Sequence, residues 1–326
     1  MLITAAFFLL ASLNPAEKEF AQFLENHKRV NPGKAYAERT LEELREGTSV
    51  LLQYAGDAAP VPSLDEQIPA RDGHLIPIRI YNHHLPGNVP TLIFYPGCAF
   101  VFDLATINNI IASRIAAFAE CVRVIVVHYR LTPENPLPTS IHDCYDAAAY
   151  IASNSERFGV DRNYFFLGGW CTGAHCATAV SNMARESNAF RVHHQILVSG
   201  SFDLTESTHD FDREEKEDKT VDRNLLRHLK KTYYGISEMD STNPLFSPCY
   251  ESNFHDFPPT TILCGQYDAL RNDSEGYYCK LKAGGVAVQK IILPGQTHNT
   301  IMMRTVLSEG IDPAELIANI AKNTGH

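Results

Sequence analysis

Positive charge is scarce in this sequence: 28 Lys and Arg residues stand against 38 Asp and Glu, a formal net charge of −10. A chain of that sign lacks the basic field that gathers phosphate backbones, so nucleic acid is excluded as the expected partner. Cys-x-x-Cys pairs are missing, although eight cysteines are present, at 98, 121, 144, 171, 176, 249, 264 and 279. Scattered thiols, several of them inside apolar runs such as TTILCG, fit neither a small disulfide framework nor a zinc site, and they suit a reducing, cytoplasmic compartment. The 14 histidines show no ligand spacing either, so no metal or other cofactor is expected. The apolar stretch MLITAAFFLLASL at residues 1–13 is too short to cross a bilayer as an ordinary helix and has no Lys or Arg ahead of it. It reads as a packed helix, with a signal peptide and hence secretion as the alternative; stable membrane insertion is not expected. Glycine (19) and proline (18) stay at ordinary levels, which excludes collagen-like and linker-dominated chains. What remains is 326 residues, 44% apolar and 20% charged, enough to bury one large α/β core with additions.

From about residue 75 onward, short β-branched runs alternate with helix-like stretches. The predicted strands are 74–82, 91–95, 122–129, 163–168, 194–200, 260–265 and 286–293. Between them ATINNIIASRIAAFAE, HDCYDAAAYIASNSERFG, CTGAHCATAVSNMARES and SEGYYCKLKAGG carry apolar residues at helical spacing. That alternation predicts a mostly parallel sheet covered on both faces. The ARDG turn ahead of the first strand suggests an antiparallel edge hairpin. Two segments break the pattern: residues 1–55 read as helices, and residues 203–243 hold the charge run HDFDREEKEDK and the amphipathic stretch NLLRHLKKTYYG. They divide the chain into an N-terminal helical part (1–55), core segments 56–202 and 244–326, and an insertion at 203–243.

The most informative stretch is NYFFLGGWCTGAHCATAV. A strand ends at Gly168-Gly169 and a helix begins just past Cys171, so Gly169-Trp170-Cys171-Thr172-Gly173 is a G-x-C-x-G elbow with cysteine at its centre. Small flanking residues are needed because the turn forces the central residue into a strained conformation. The helix N-terminus then favours a thiolate at that position. Asp268 follows the strand TTILCG, and His298 follows the strand VQKIIL. Both therefore belong at strand C-terminal ends, where open α/β sheets gather their catalytic groups. Asp273 is a rival acid, but its place at a helix start suits capping.

With those residues in view, the chain resembles the hormone-sensitive-lipase branch of the α/β-hydrolase fold from roughly residue 60 to 310. YRLTPENPLPTSIHDCYDA (129–147) is similar to that family's YRLAPEHPFPAALEDC run, and NPLFSP and GQYDALRNDSEGYYCKL resemble its stretches around the acid. The resemblance implies about eight strands, flanking helices and a helical cap made of the two misfit segments. Its G-D-S-A-G-G motif falls on Gly169-Trp170-Cys171-Thr172-Gly173-Ala174. Its H-G-G-G motif falls on Pro96-Gly97-Cys98-Ala99, which implies an oxyanion hole built from the amides of Cys98, Ala99 and Thr172. Phe100 and Trp170 are the expected substrate-pocket residues.

The resulting expectation is a hydrolase of small-molecule carboxylic esters or thioesters. His298 would draw the proton from Cys171, Asp268 would fix the imidazole, and a thioacyl-enzyme would form. Two alternatives stay open: an acyltransferase, and a ligand-binding protein whose catalysis has decayed.

Overall fold

The strand-forming runs assemble into one eight-stranded sheet in a computed structural model that describes residues 36–207, 221, 223–299 and 312–324. The apolar stretch 1–13 and the charge run 209–219 lie outside the described residues. The strands are β1 (Ser63–Pro69), β2 (Leu75–Tyr81), β3 (Val89–Tyr95), β4 (Arg123–Val127), β5 (Val160–Trp170), β6 (His194–Val198), β7 (Thr260–Gly265) and β8 (Val288–Leu293). Their order is β1-β2-β4-β3-β5-β6-β7-β8. β1 pairs antiparallel with β2, and β2 with β4; all other pairs are parallel. The expected edge hairpin is therefore present, but its outer strand β1 was missing from the sequence reading. Only Ile68 of its seven residues is buried, so SLDEQIP carries no alternation to find.

The four crossover stretches with helical spacing form helices, and a further helix that the spacing did not single out closes the described residues. α1 is Leu41–Gly47, α2 Ala105–Phe118, α3 Thr139–Ser153, α4 Ser155–Phe158, α5 Thr172–Ser187, α6 Arg223–Tyr233, α7 Arg271–Ala283 and α8 Pro313–Asn323. α3 packs on α5 and α2 on α8, while β4, β6 and β7 are buried along their whole length. Strands sealed on both faces are mostly apolar, which is why these read as hydrophobic runs, with buried Arg123, His194, Gln195, Thr260 and Thr261 at their starts. An ion pair between the buried Arg114 of α2 and Asp312 ties α8 in place. No helix among the described residues is long and apolar enough to cross a membrane.

Two side chains lock the ends of this frame. Arg45 of α1 reaches the carbonyls of Val101 (2.9 Å) and Thr132 (3.1 Å) and pairs bidentately with Glu134, pinning the N-terminal helices over the loop after β3. Asn82, buried at φ 56° just past β2, turns its amide to the carbonyls of Ala116 (3.0 Å), Ala119 (3.2 Å) and Val122 (2.9 Å). Asparagine is one of the few residues with a side chain that tolerates that backbone region. Asn82→Ala loses both the local tolerance and the carbonyl partners, and is expected to lower unfolding stability by about 2–4 kcal/mol in a denaturant titration.

Candidate active site

Parallel strands deliver their C-terminal ends to one edge of the sheet, and three loops meet there. β5 runs into α5 through Cys171, which sits at φ 55° and ψ −121°. That backbone conformation costs a non-glycine residue about 1–3 kcal/mol, and it projects the thiol at the N-terminus of α5, where the helix dipole favours negative charge. The turn closes because Gly173 lies flat against β3: a Cβ there would fall 1.9 Å from the Tyr95 carbonyl oxygen.

Asp268 stands in the loop after β7 and His298 in the loop after β8. The His298 Nδ1 lies 3.0 Å from Asp268 Oδ1, and the Leu270 amide donates to the same carboxylate at 2.7 Å. Cys171 lines the same recess as the His298 ring, and its sulfur acts on the imidazole. Burial alone would push the imidazole down, but the Asp268 carboxylate and the Cys171 sulfur outweigh it and hold His298 well above its ordinary value. Burial likewise works against the Asp268 carboxylate. The charge and hydrogen bond of His298 and the Leu270 amide overcome it, so the group titrates below the usual range. The three residues singled out in the sequence thus meet at one place, with His298 bonded to Asp268 and facing the recess that Cys171 also lines.

Asp273 does not cap α7. It sits inside the first turn, buried, and accepts from the amides of Phe202 (3.0 Å) and Asp203 (3.3 Å), so its work is to hold the loop after β6. Phe100 is also displaced from its expected role. Its side chain is fully buried, edge-on to His175 and Tyr234, and lines neither recess of the site. A φ of 58° at Phe100 accompanies this inward placement.

The loop after β3 carries the expected oxyanion donors. Ala99 has φ 47°, so alanine here adopts a backbone region that glycine would occupy without cost. The loop is held by two residues that the sequence reading passed over. Asn108 of α2 accepts from the Gly97 amide (3.0 Å) and donates to the Gly97 carbonyl (3.1 Å). Tyr129 donates to the Pro96 carbonyl at 2.6 Å and meets the Cys98 thiol at 3.0 Å. An Asn on the apolar face of INNIIAS, the first of two in a row, was the available signal for Asn108. Burial pushes the Cys98 thiol up to about 12, so it stays protonated and serves as a packed donor.

One expected donor is spoken for. The Cys98 amide donates to the Thr172 hydroxyl at 3.2 Å, which leaves the amides of Ala99 and Thr172 without a protein acceptor among the described residues. Of the three expected amides, two are thus left to face the recess, because Thr172 brings a side-chain acceptor to the elbow. Asn108→Ala releases Gly97 from both bonds. It is expected to cut kcat for ester cleavage by about ten- to a hundredfold at nearly constant KM, since misaimed donors act on the transition state.

Two recesses open from the thiol. Ala99, Cys171, Leu226 and Leu270 are common to both. The larger, about 720 Å³, is walled by Leu51, Phe102, Leu104, Trp170, Leu225 and His298 among others. The smaller, about 470 Å³, adds Thr172, Ser201, Asp203, Glu206, Lys230 and Tyr234. Trp170 covers the His298 ring at a centroid distance of 5.5 Å. It also explains Gly97, where a Cβ would meet the indole at 2.6 Å.

Known proteins share this architecture. An arylesterase of Saccharolobus solfataricus is 26% identical over 87% of this chain and 92% of its own length. An ethyl acetate hydrolase of Pseudomonas putida is 27% identical over 91% and 95%. The structure of a hyperthermophilic esterase from Pyrobaculum calidifontis superposes with a TM-score of 0.82, at 24% identity, over 96% of this chain and 98% of that one. A sequence model of the alpha/beta hydrolase fold matches residues 92–302, and with the sheet, the elbow and the three converging loops this places the chain in the α/β-hydrolase fold family.

Proposed function

We propose that this protein is a hydrolase of small-molecule carboxylic esters or thioesters, with Cys171 as nucleophile, His298 as acid–base and Asp268 as the group that fixes the imidazole. The observation that carries the reading is the strained Cys171 at the elbow, sharing one recess with a histidine that is itself anchored on a buried carboxylate. The esterase names of the two sequence relatives support the reaction class.

In the cycle, the thiolate attacks the acyl carbon while its proton resides on His298. Negative charge collects on the carbonyl oxygen, beside the Ala99 and Thr172 amides. The carbon–oxygen or carbon–sulfur bond to the leaving group then breaks, and the imidazolium hands that group its proton. Water, deprotonated by the neutral imidazole, adds to the thioacyl-enzyme and expels Cys171. We further assign the N-terminal helices and the 203–243 insertion to a cap. Thr48 and Leu51 from the former and Leu225 and Leu226 from the latter wall the larger recess.

Sulfur imposes a bias on the first step. A thiolate leaves a tetrahedral adduct more readily than an alkoxide does, so alkyl esters revert unless the leaving oxygen is protonated in time. Matched substrates are therefore expected to rank thioester and aryl ester above alkyl ester in kcat/KM. A preference for the alkyl oxyester would sink the cysteine mechanism. Iodoacetamide at neutral pH is expected to alkylate Cys171 and abolish turnover, and His298→Ala to slow that alkylation at least about tenfold; turnover that survives full alkylation counts equally against it.

The pH profile follows from the same pair. The working state keeps a proton on His298, so kcat/KM falls as pH rises through the imidazole's folded-state value, which lies well above the ordinary one. Asp268→Asn removes the charge that raises it. The alkaline limb of a kcat/KM–pH curve is expected to move down by about one unit or more in that variant.

A further inference from the structure

The two recesses differ in chemistry, and His298 lies in the wall of only one of them. The imidazolium must reach the leaving atom to protonate it. The leaving group therefore extends into the larger recess, among Leu51, Phe102, Leu104, Trp170 and Leu225. The acyl group, held on Cys171 with its oxygen toward the Ala99 and Thr172 amides, is left with the smaller recess.

That smaller recess is polar, and its polar groups are unequally committed. Asp203 accepts from Thr205 and Ser207, Glu206 pairs with Arg227 at 2.8 Å, and Lys230 donates to the Leu204 carbonyl at 2.6 Å. The hydroxyls of Ser201 and Tyr234 have no hydrogen-bond partner among the described residues. Tyr234 is only 4% exposed, and its phenol feels the charge of Cys171. Its hydroxyl is absent from the sealed, unpartnered polar atoms and lies in the wall of a recess that a substrate's acyl arm would fill. Lys230 has donors to spare beyond its one carbonyl. The free groups are thus donors, while the carboxylates are already satisfied.

On the reading of Cys171 as an ester-cleaving nucleophile, we infer that the substrate pairs an apolar leaving group with a short acyl group carrying an oxygen acceptor, and that Tyr234 and Ser201 donate to that oxygen. An ether, carbonyl or hydroxyl oxygen two or three bonds from the scissile carbon has the chemistry these hydroxyls lack as partner. Such an oxygen exchanges its water for the protein's donors, whereas a methylene there displaces water from both donors and replaces none of its hydrogen bonds.

The test uses isosteric arms. 2-Naphthyl butanoate and 2-naphthyl methoxyacetate differ by one methylene replaced by oxygen; dividing each kcat/KM by the ester's hydroxide-catalysed rate removes their intrinsic reactivity. The corrected ratio is expected to favour methoxyacetate in the wild type and to fall about three- to tenfold in Tyr234→Phe, the scale of one neutral hydrogen bond. Ser201→Ala supplies the same reading should the first variant not fold. A ratio that both variants leave unmoved, or a wild type that prefers butanoate, overturns the inference. Butyl and 2-methoxyethyl butanoates place the oxygen on the other arm. A gain there that Tyr234→Phe abolishes would reverse the assignment of the recesses. If the wild type turns over none of these esters, the nucleophile reading has failed separately; the dissociation constants of the matching ketones, with CH2 in place of the ester oxygen, then read the same ratio without chemistry.

Discussion

The close seating of the β5–α5 turn against the end of β3 is the constraint from which the site follows. Gly173 touches the Tyr95 carbonyl so closely that no side chain fits between them. One residue earlier, the Thr172 hydroxyl takes the Cys98 amide. Backbone meets backbone at the first contact, and side chain meets backbone at the second. Together they fix where the thiol stands relative to the amides meant to face it. Helix α5 supplies the dipole behind that thiol, and α2 secures the opposing loop through Asn108. Cys171 and the loop after β3 are thus parts of one packed unit, whose rigidity comes from the core beneath it and not from the loops themselves.

The placement of groups at strand ends was legible because topology fixes it. Any residue just past β7 or β8 must emerge on the edge where β5 delivers Cys171, so Asp268 and His298 could be named from their position after TTILCG and VQKIIL. Contacts that depend on which way a side chain turns were not legible. Phe100 turns inward, and Asp273 bonds to a loop some 70 residues earlier in sequence. Nothing in periodicity encodes either fact. β1 escaped for the opposite reason: an edge strand with one buried residue needs no pattern, because solvent accepts almost any side chain on its outer face.

Substitutions at the elbow make sense as a set. Trp170 stands where the related motif carries aspartate, and its indole lies across Gly97 and the His298 ring. Thr172 stands where that motif has alanine, and its hydroxyl removes a donor from the hole. Ala99 keeps a left-handed backbone that glycine would adopt freely. On the mechanism proposed, sulfur asks less of such a hole than oxygen does, since a thiolate is already a good nucleophile at neutral pH. A two-amide arrangement is consistent with that lower demand.

The indole that shields His298 is also the chain's single tryptophan. Ultraviolet emission from the intact molecule above the tyrosine band therefore arises from one fluorophore, 5.5 Å from the imidazole and at the mouth of the apolar recess. A protonated imidazole accepts an electron from excited indole more readily than a neutral one, and an aromatic guest against that ring alters its surroundings. Proton occupancy and ligand entry are thus optically visible without any dye, from a chromophore that evolution placed inside the site.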